Sequence, residues 1–157
     1  MDEVLDTLDA RLLLLLTDHP RTGVLECARR LGVARGTVQA RLDRMQRRGV
    51  IRGFGPELDP HALGYEVTAF VTLEIRQGRG HKTVAAHLAR VPEVLEVHTV
   101  TGQGDLLCRI VARSNADLQR VIDQVVADED ILRASTLIAL AAPVPYRVVP
   151  LVERCLD

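Results

Sequence analysis

The sequence predicts an α+β protein, an N-terminal helix-turn-helix domain followed by a ferredoxin-like βαββαβ domain. Three observations predict this fold. In the first third of the chain, apolar residues recur at helical spacing, and Gly32 separates two short helical stretches. After Gly64 the pattern changes to stretches rich in Val, Thr and Phe. These stretches alternate with helical ones in the order β-α-β-β-α-β, the order of the split βαβ arrangement.

The first domain is assigned to residues 1–52 and begins with two predicted helices. Asp6 is suited to cap the first helix, which carries leucines at helical spacing and ends before Pro20. The second helix covers residues 24–31 and is stopped by Gly32. The residues of the second helix that are predicted to face inward are Leu25, Ala28 and Leu31.

Residues 53–65 are assigned to a hinge or linker strand, and residues 66–157 to the second domain. Within this stretch, residues 50–58 are predicted to be a strand or an extended arm, and Asp59-Pro60 marks the linker. The strands and helices of the second domain are predicted, in β-α-β-β-α-β order, at residues 66–75, 82–90, 94–101, 106–112, 116–126 and 131–142.

Charge is concentrated in one short part of the first domain. Residues 29–52 contain eight arginines and one acid, Asp43, an excess of seven positive charges in a chain whose net charge is −1. A basic stretch of this kind is typical of a surface that binds a polyanion. The eight residues are Arg29, Arg30, Arg35, Arg41, Arg44, Arg47, Arg48 and Arg52.

A third helix is predicted within this basic stretch, at residues 35–48, and Gly49 closes it. At 100° per residue, Val38, Leu42 and Met45 form one stripe that must pack inward. The opposite face carries small residues near its start, which permit close approach to DNA bases, and arginines toward its end, which suit phosphates. The candidate DNA-contacting residues are Arg35, Gly36, Thr37, Gln39, Ala40, Arg41, Arg44, Arg47 and Arg48.

The alternative interpretation of this helix is an ordinary solvated surface, since arginine is a good helix former. We favour DNA binding because the stretch itself lacks the acids that would balance its arginines. Arg41 lies on the flank of the exposed face, where it would also suit an internal salt bridge.

Composition excludes several other classes of protein. With two Phe, two Tyr and no Trp, the chain lacks the aromatic surfaces that stack single-stranded bases. The three cysteines are widely spaced and the five histidines show no ligand spacing, so we expect no metal site and no cofactor. We expect no catalytic residues, no phosphate loop at Gly78-Arg79-Gly80 and no membrane segment. A DNA-binding protein of this kind is expected to be cytoplasmic and nucleoid-associated.

Several motifs follow one another along the chain in a specific order and spacing. These are Leu5-Asp6-x-Leu8-Asp9-x-x-Leu12-Leu13, Ala28, Leu31-Gly32-Val33, Val38, Arg41-Leu42, Met45, Gly49-Val50-Ile51, Leu58-Asp59-Pro60, Leu63-Gly64 and Val100-Thr101-Gly102-Gln103-Gly104-Asp105. Through the order and spacing of these motifs the chain resembles the Lrp/AsnC (feast/famine) family of transcription regulators almost from end to end.

This resemblance implies a (winged) helix-turn-helix domain and a ferredoxin-like regulatory domain that forms homodimers, which commonly assemble into octamers. It also implies that an amino acid binds between regulatory domains near the glycine–aspartate loop. Carried over to this chain, the effector candidates are Thr101, Gly102, Gln103, Gly104, Asp105 and Thr136.

The loop at residues 101–105 also has a chemical logic of its own. Asp105 could bind the ammonium group of an amino acid, while backbone N–H groups at residues 102–104 could hold its carboxylate. The alternative is an ordinary β-hairpin turn, for which Gly-Gln-Gly-Asp is suitable chemistry.

Three positions depart from the family pattern. Ala34 replaces the usual serine that caps the recognition helix. Gly104 replaces an aromatic residue before the loop aspartate, and Glu129-Asp130-Ile131 replaces Pro-Gly-Val before the last strand.

The sequence therefore predicts a DNA-binding transcriptional regulator whose dimers contact two half-sites of double-stranded DNA and respond to an amino acid or similar small molecule. One alternative is an architectural, nucleoid-organising protein without an effector. Another is an enzyme, because the two-domain plan also resembles the siroheme decarboxylases. Those enzymes have little use for an arginine-lined helix, so we expect no enzymatic activity.

Overall fold

Ten helices and strands follow one another along the residues that the structure, a computed structural model, describes, namely residues 5–76 and 80–156. They divide between two units. The first holds the described residues up to Glu57 and those from Val144 onward, and the second holds Leu58–Pro143. Gly78 and Arg79, part of the motif considered as a phosphate loop, lie outside the described residues.

The first unit begins with three helices, α1 at Thr7–Asp18, α2 at Val24–Leu31 and α3 at Arg35–Arg47. Asp6 caps α1 as predicted. The Asp9 N–H donates to Asp6 Oδ1 at 2.9 Å, and the Asp6 N–H donates to Asp9 Oδ2 at 3.3 Å, a reciprocal capping box. Gly32 ends α2 with a φ of 70°, a left-handed conformation that favours glycine.

The three helices enclose one apolar core. Its buried residues are Leu12, Cys27, Ala28, Val38, Leu42 and Met45. The stripe predicted for α3 is thereby confirmed. The prediction that Leu25 faces inward is wrong, because its side chain is 71% exposed. Cys27 and Ala28 set the inner face of α2, and at about 100° per residue Leu25 lies nearly opposite Cys27.

Residues 50–58 form an irregular segment with no strand among the residues described there. Val50 and Ile51 pack against the core of the first unit. The strand or arm expected at residues 50–58 is therefore an irregular stretch anchored by two apolar side chains, and the described residues of this unit contain no wing strand.

The second unit has four strands, β1 at Val67–Ile75, β2 at Val94–Thr99, β3 at Leu106–Ala112 and β4 at Ile131–Ala139. Its helices are α4 at Gly80–Leu88 and α5 at Asn115–Val125. The strands form one antiparallel sheet in the order β2-β3-β1-β4. Together with the element order, this confirms the α+β fold class and the ferredoxin-like plan. The last strand ends three residues earlier than predicted.

The sheet has one covered face and one open face. Every second residue of β1, including Val71 and Leu73, is buried in a core with residues of α4 and α5. The residues between them lie on the opposite side, because successive side chains of a strand point to opposite faces. We call this side the open face. Its β1 residues are Phe70, Thr72 and Glu74, and the β4 residues paired with them are Leu137, Ser135 and Arg133.

A sixth helix, α6 at Val149–Glu153, was not predicted. It contacts α1 and belongs to the first unit, so the described residues from Val144 onward differ from their assignment to the second domain. The helix has only five residues and a proline in its first turn, which is too short for a periodic pattern. Its place in the fold is set by packing rather than by local sequence.

Two leucines of the first unit give a matched stability test. Leu12→Ala removes a fully buried side chain and should destabilise the first unit by about 2–5 kcal/mol. Leu25→Ala truncates an exposed side chain and should change stability by less than about 0.5 kcal/mol. Urea-dependent hydrogen exchange of the α3 amides measures both. Equal losses in the two variants would contradict the packing described above.

Candidate nucleic-acid interface and candidate ligand pocket

The exposed side of α3 forms a shallow depression on the first unit. It is lined by Gly36, Thr37, Ala40, Arg41, Arg44 and Arg47. The depression faces outward because Val38, Leu42 and Met45 bury the other side of the helix. An added Cβ at Gly36 would have no neighbour within 4 Å, so the start of the helix is open to a large partner.

Arg41 is bound to two carboxylates of the first helix. Its Nη1 donates to Asp6 Oδ1 and Oδ2 at 2.7 and 2.6 Å and to Asp9 Oδ1 at 2.8 Å. The Arg41 side chain is 22% exposed, and the Asp9 side chain is 1% exposed. The hydrogen bond from Arg41 holds the pKa of Asp6 below its usual value, and Asp6 in turn raises the pKa of Arg41. Arg41 therefore forms the internal salt bridge that its flank position allows.

Arg44 joins the same group, which we call the ion cluster and define as Asp6, Asp9, Arg41 and Arg44. Arg44 Nη2 donates to Asp9 Oδ2, while its side chain remains 42% exposed. A buried carboxylate such as Asp9 needs partners of this kind, because an unpaired charge away from water is strongly unfavourable. The ion cluster thus fixes α3 against the start of α1.

A second carboxylate, Glu26, binds the two arginines that follow it on α2. Glu26 Oε1 accepts from Arg29 Nη2 at 2.7 Å and from Arg30 Nε at 2.8 Å. Hydrogen bonds from Arg29 and Arg30 lower the pKa of Glu26 to about 2. The expectation that the arginines lack balancing acids is therefore wrong for four of the eight. Their partners precede the basic stretch, where a count within residues 29–52 does not include them.

The other four arginines are unpaired within the part of the chain that the structure describes. Arg35, Arg47, Arg48 and Arg52 are exposed and have no ion pair with any residue that the structure describes. Asp43, the acid within the stretch, accepts a hydrogen bond from Gln39 Nε2 at 2.8 Å and has no arginine partner in the described chain. The surface of α3 thus carries unneutralised positive charge beside small side chains.

The start of α3 lacks a side-chain cap. Ala34 occupies the N-cap position, and among the described residues no side chain accepts from the first N–H groups of the helix. These N–H groups carry the positive end of the helix dipole, which favours a negatively charged partner. Ala34 therefore departs from the family pattern in structure as well as in sequence, because it leaves the helix without a side-chain cap.

The second unit contains a pocket of about 770 Å³ on the open face of the sheet. The loop between β2 and β3 contributes Gly102, Gln103 and Gly104. The strands contribute Thr72 and Glu74 from β1, and Arg133, Ser135 and Leu137 from β4. Three of the six predicted effector residues are thereby brought together with five residues that sequence reasoning missed.

The other three predicted effector residues do not line this pocket. Thr101 is exposed on the loop. Asp105 Oδ2 accepts from the Ile75 N–H at 2.8 Å, and the Asp105 N–H donates to the Leu73 carbonyl at 2.8 Å. Thr136 pairs with Val71 and therefore lies on the helix-covered face. Asp105 thus connects the loop to the end of β1.

Gly104 is held in close contact with β1. Its φ is 100°, and an added Cβ would overlap Thr72 Cγ2 and lie 3.2 Å from the Leu73 carbonyl oxygen. A side chain at this position would force the loop away from the strand. The glycine that departs from the family pattern is therefore required by the approach of the loop to Thr72.

The missed strand residues had a detectable signal. In a ferredoxin-like sheet the first and last strands are neighbours, and Thr72 and Glu74 alternate with apolar residues along the first strand. This alternation places polar side chains on a single face. The register that brings Arg133 opposite Glu74 is a tertiary property and could not be read from the sequence.

The described residues lack the features of a metal centre and of a membrane-spanning helix. They contain no group of three His, Cys, Asp or Glu side chains that could hold a metal ion. Burial raises the pKa of the Cys108 thiol to about 11, which disfavours the thiolate that binds metals. Separately, none of the described helices is both long and apolar enough to span a bilayer.

The chain is similar to known proteins along nearly its whole length. A family model described as the Lrp/AsnC ligand binding domain matches residues 68–149, and one described as the AsnC-type helix-turn-helix domain matches residues 5–46. Regulatory protein AsnC of Escherichia coli (strain K12) is 30% identical over 148 residues, 94% of this chain and 97% of that protein. HTH-type transcriptional regulator FL11 of Pyrococcus furiosus is 29% identical over 140 residues, 89% of this chain and 92% of that protein.

Solved structures show the same similarity. The structure of Escherichia coli AsnC superimposes with a TM-score of 0.85 at 29% identity, covering 94% of this chain and all of that one. An AsnC family transcriptional regulator from Agrobacterium tumefaciens superimposes with a TM-score of 0.79 at 26% identity, covering 90% of this chain and 94% of that one.

The ion cluster predicts how the stability of the first unit depends on pH. Arg41 lowers the folded-state pKa of Asp6, so the charged carboxylate stabilises the folded state above the ordinary pKa of 3.8. This contribution is lost as the pH falls through the lowered pKa. Asp6→Asn keeps an N-cap acceptor but removes the charge. The variant should therefore lose less stability than the wild type below pH 3.8.

Urea unfolding at a series of pH values, followed by hydrogen exchange in α1 and α3, measures this difference. Asp18→Asn is the control, because Asp18 lies at the other end of α1 and has no ion pair within the described ranges. Parallel stability curves for the wild type and Asp6→Asn would show that the charge of Asp6 contributes nothing to the stability of the first unit.

Proposed function

Because the chain belongs to the Lrp/AsnC family of DNA-binding transcriptional regulators, we propose that α3 is the helix that reads its DNA. The protein is a regulator and not an enzyme, so the resemblance to the siroheme decarboxylases has no functional counterpart here. The observation that carries the proposal is the exposed face of α3, where free arginines flank small residues.

In this proposal α3 enters the major groove of double-stranded DNA. Gly36, Thr37 and Ala40 lie nearest the base edges because they are small and exposed. Gln39 joins them only if its hydrogen bond to Asp43 opens. The N–H groups at the uncapped start of the helix add a favourable potential for a phosphate.

The arginines of α3 and the one at its C-cap, Arg48, divide into two roles. Arg35, Arg47 and Arg48 are free to bind phosphates, and Arg52 extends the same charge beyond the helix. Arg41 acts by positioning, since its guanidinium is occupied by Asp6 and Asp9. Arg44 can serve both roles, because it is bound to Asp9 while its side chain is exposed enough to bind a phosphate as well.

The regulatory half of the proposal concerns the second unit. An amino acid effector binds in the pocket on the open face, where Gly102, Gln103 and Gly104 contact it. The protein forms homodimers that contact two half-sites about 34–36 Å apart, and the dimers assemble into octamers. This activity places the protein in the cytoplasm, on the nucleoid.

The architectural alternative differs in one measurable property. An effector-independent nucleoid protein would bind none of the amino acids, whereas the proposed regulator binds at least one. Isothermal titration calorimetry of the full chain with each of the twenty amino acids distinguishes them. Heat from any of them supports the regulator, and no heat from all twenty supports the architectural protein.

Salt dependence tests the DNA contacts. On a genomic fragment selected by the wild-type protein, the plot of log affinity against log salt should be steep. Arg47→Ala and Arg48→Ala should each make the slope shallower by about 0.9 for every phosphate contact removed. Fluorescence anisotropy at several salt concentrations measures this slope.

Arg90→Ala serves as the control, because Arg90 is an exposed arginine of the second unit. Its slope should equal that of the wild type. If Arg47→Ala and Arg48→Ala also retained the wild-type slope, α3 would not be the DNA-binding helix.

A further inference from the structure

Two opposite charges face each other across the pocket wall. Glu74 of β1 and Arg133 of β4 are directly paired in the sheet, and both side chains line the pocket on the open face. Glu74 Oε1 and Arg133 Nη1 are 3.9 Å apart, and the two side chains are 52% and 75% exposed. This is a loose, solvated ion pair with little value for stability.

We propose that this pair recognises the two ends of a zwitterionic amino acid whose side chain is uncharged. Arg133 binds the carboxylate of the ligand, and Glu74 binds its ammonium group. The inference rests on the proposed effector role of the pocket and goes beyond it, because it names the recognising residues and the class of side chain.

The chemistry of each partner fits its assigned group. The planar guanidinium of Arg133 can donate two parallel hydrogen bonds to a carboxylate. The Glu74 carboxylate accepts hydrogen bonds from an ammonium group and carries the opposite charge. The Glu74–Arg133 pair is loose and contributes little to stability. A ligand that binds both residues therefore breaks little stabilising interaction within the protein.

Asp105, the other candidate for the ammonium group, is already engaged. Its carboxylate accepts from the Ile75 N–H at 2.8 Å, and the residue does not line the pocket. Recruiting it would leave a backbone N–H near the sheet core without its partner, which is unfavourable. Glu74 has no competing backbone partner within the described chain and faces the cavity directly.

The class of side chain follows from the remaining walls. Thr72 and Ser135 offer hydroxyl groups, Leu137 offers an apolar surface, and Gln103 is neutral. Among the described residues that line the pocket, Glu74 and Arg133 carry the only charges. Once both bind the ligand backbone, an acidic or basic ligand side chain would find no partner of opposite charge and would be disfavoured.

Calorimetry on the full chain tests the proposal with two variants, Glu74→Gln and Arg133→Gln. Glu74→Gln removes the charge at an unchanged side-chain length, and Arg133→Gln removes the charge together with the guanidinium and shortens the side chain. Each should weaken the affinity for the preferred neutral amino acid by at least about tenfold, the size expected for losing a charge-assisted hydrogen bond. Glu96→Gln is the matched control, because Glu96 forms a similar cross-strand pair with Arg109 at 4.0 Å and does not line the pocket.

Blocked ligands separate recognition from a general loss of binding. Acetylation of the amino group should abolish binding to the wild type yet cause little further loss in Glu74→Gln. Conversion of the carboxylate to an amide should do the same for Arg133→Gln. Circular dichroism and the urea unfolding midpoint establish that both variants are folded.

The results also separate this inference from the proposed effector role. A wild-type protein that binds none of the amino acids would overturn the effector role and this inference with it. A wild-type protein that binds an amino acid, with both variants within about threefold of its affinity, would overturn only the assignment of Glu74 and Arg133. A preference for acidic or basic amino acids would overturn the assigned side-chain class.

Discussion

The ion cluster of Asp6, Asp9, Arg41 and Arg44 determines how the basic helix is presented. Asp9 is almost fully buried, so its charge must be matched inside the domain. Arg41 and Arg44 provide that match, and they can do so only when α3 lies against the capped start of α1. The same capping box that begins α1 therefore also supplies the carboxylates that orient α3. The apolar contacts of Leu12, Val38 and Met45 hold the opposite side of the helix, so the exposed face is fixed by both kinds of interaction.

The arginines of this domain fall into two groups with different roles. Arginines that pair with Asp6, Asp9 and Glu26 stabilise the helices and contribute less to the external potential. Arginines without such partners in the described chain, such as Arg47 and Arg48, leave their full charge toward solvent. The regulatory unit is linked to this domain by two passages of the chain, at Glu57–Leu58 and at Pro143–Val144. The strand that supplies Arg133 is followed in sequence by the segment whose helix, α6, contacts α1. The proposed ligand contacts in β4 and the packing of α6 on α1 thus lie along one continuous stretch of polypeptide.

Much of the fold could be predicted because its signals are local. Asp6, Gly32 and Gly49 mark helix ends through their own conformational preferences, and the alternation along β1 follows from two-residue periodicity. The failures involve partners that are distant in sequence. Arg41 and Arg44 bind carboxylates 32 and 35 residues away, outside any local count of charge. The hydrogen bond that Asp105 accepts from a strand 30 residues earlier could not be read from the local sequence either, and its contact with a ligand stays a prediction. Leu25 shows that an apolar residue on a helix faces the core only where a neighbouring helix covers it.

The division of the arginines between the ion cluster and DNA can be measured in a structure of the protein bound to its DNA, from the distances between arginine nitrogens and phosphate oxygens. We expect Arg47 and Arg48 to lie about 2.7–2.9 Å from phosphate oxygens, the usual length of such charged hydrogen bonds. We also expect Arg41 to keep its hydrogen bonds to Asp6 and Asp9 in the complex. A complex in which Arg41 leaves these carboxylates to bind DNA, while Arg47 and Arg48 remain in solvent, would overturn this division.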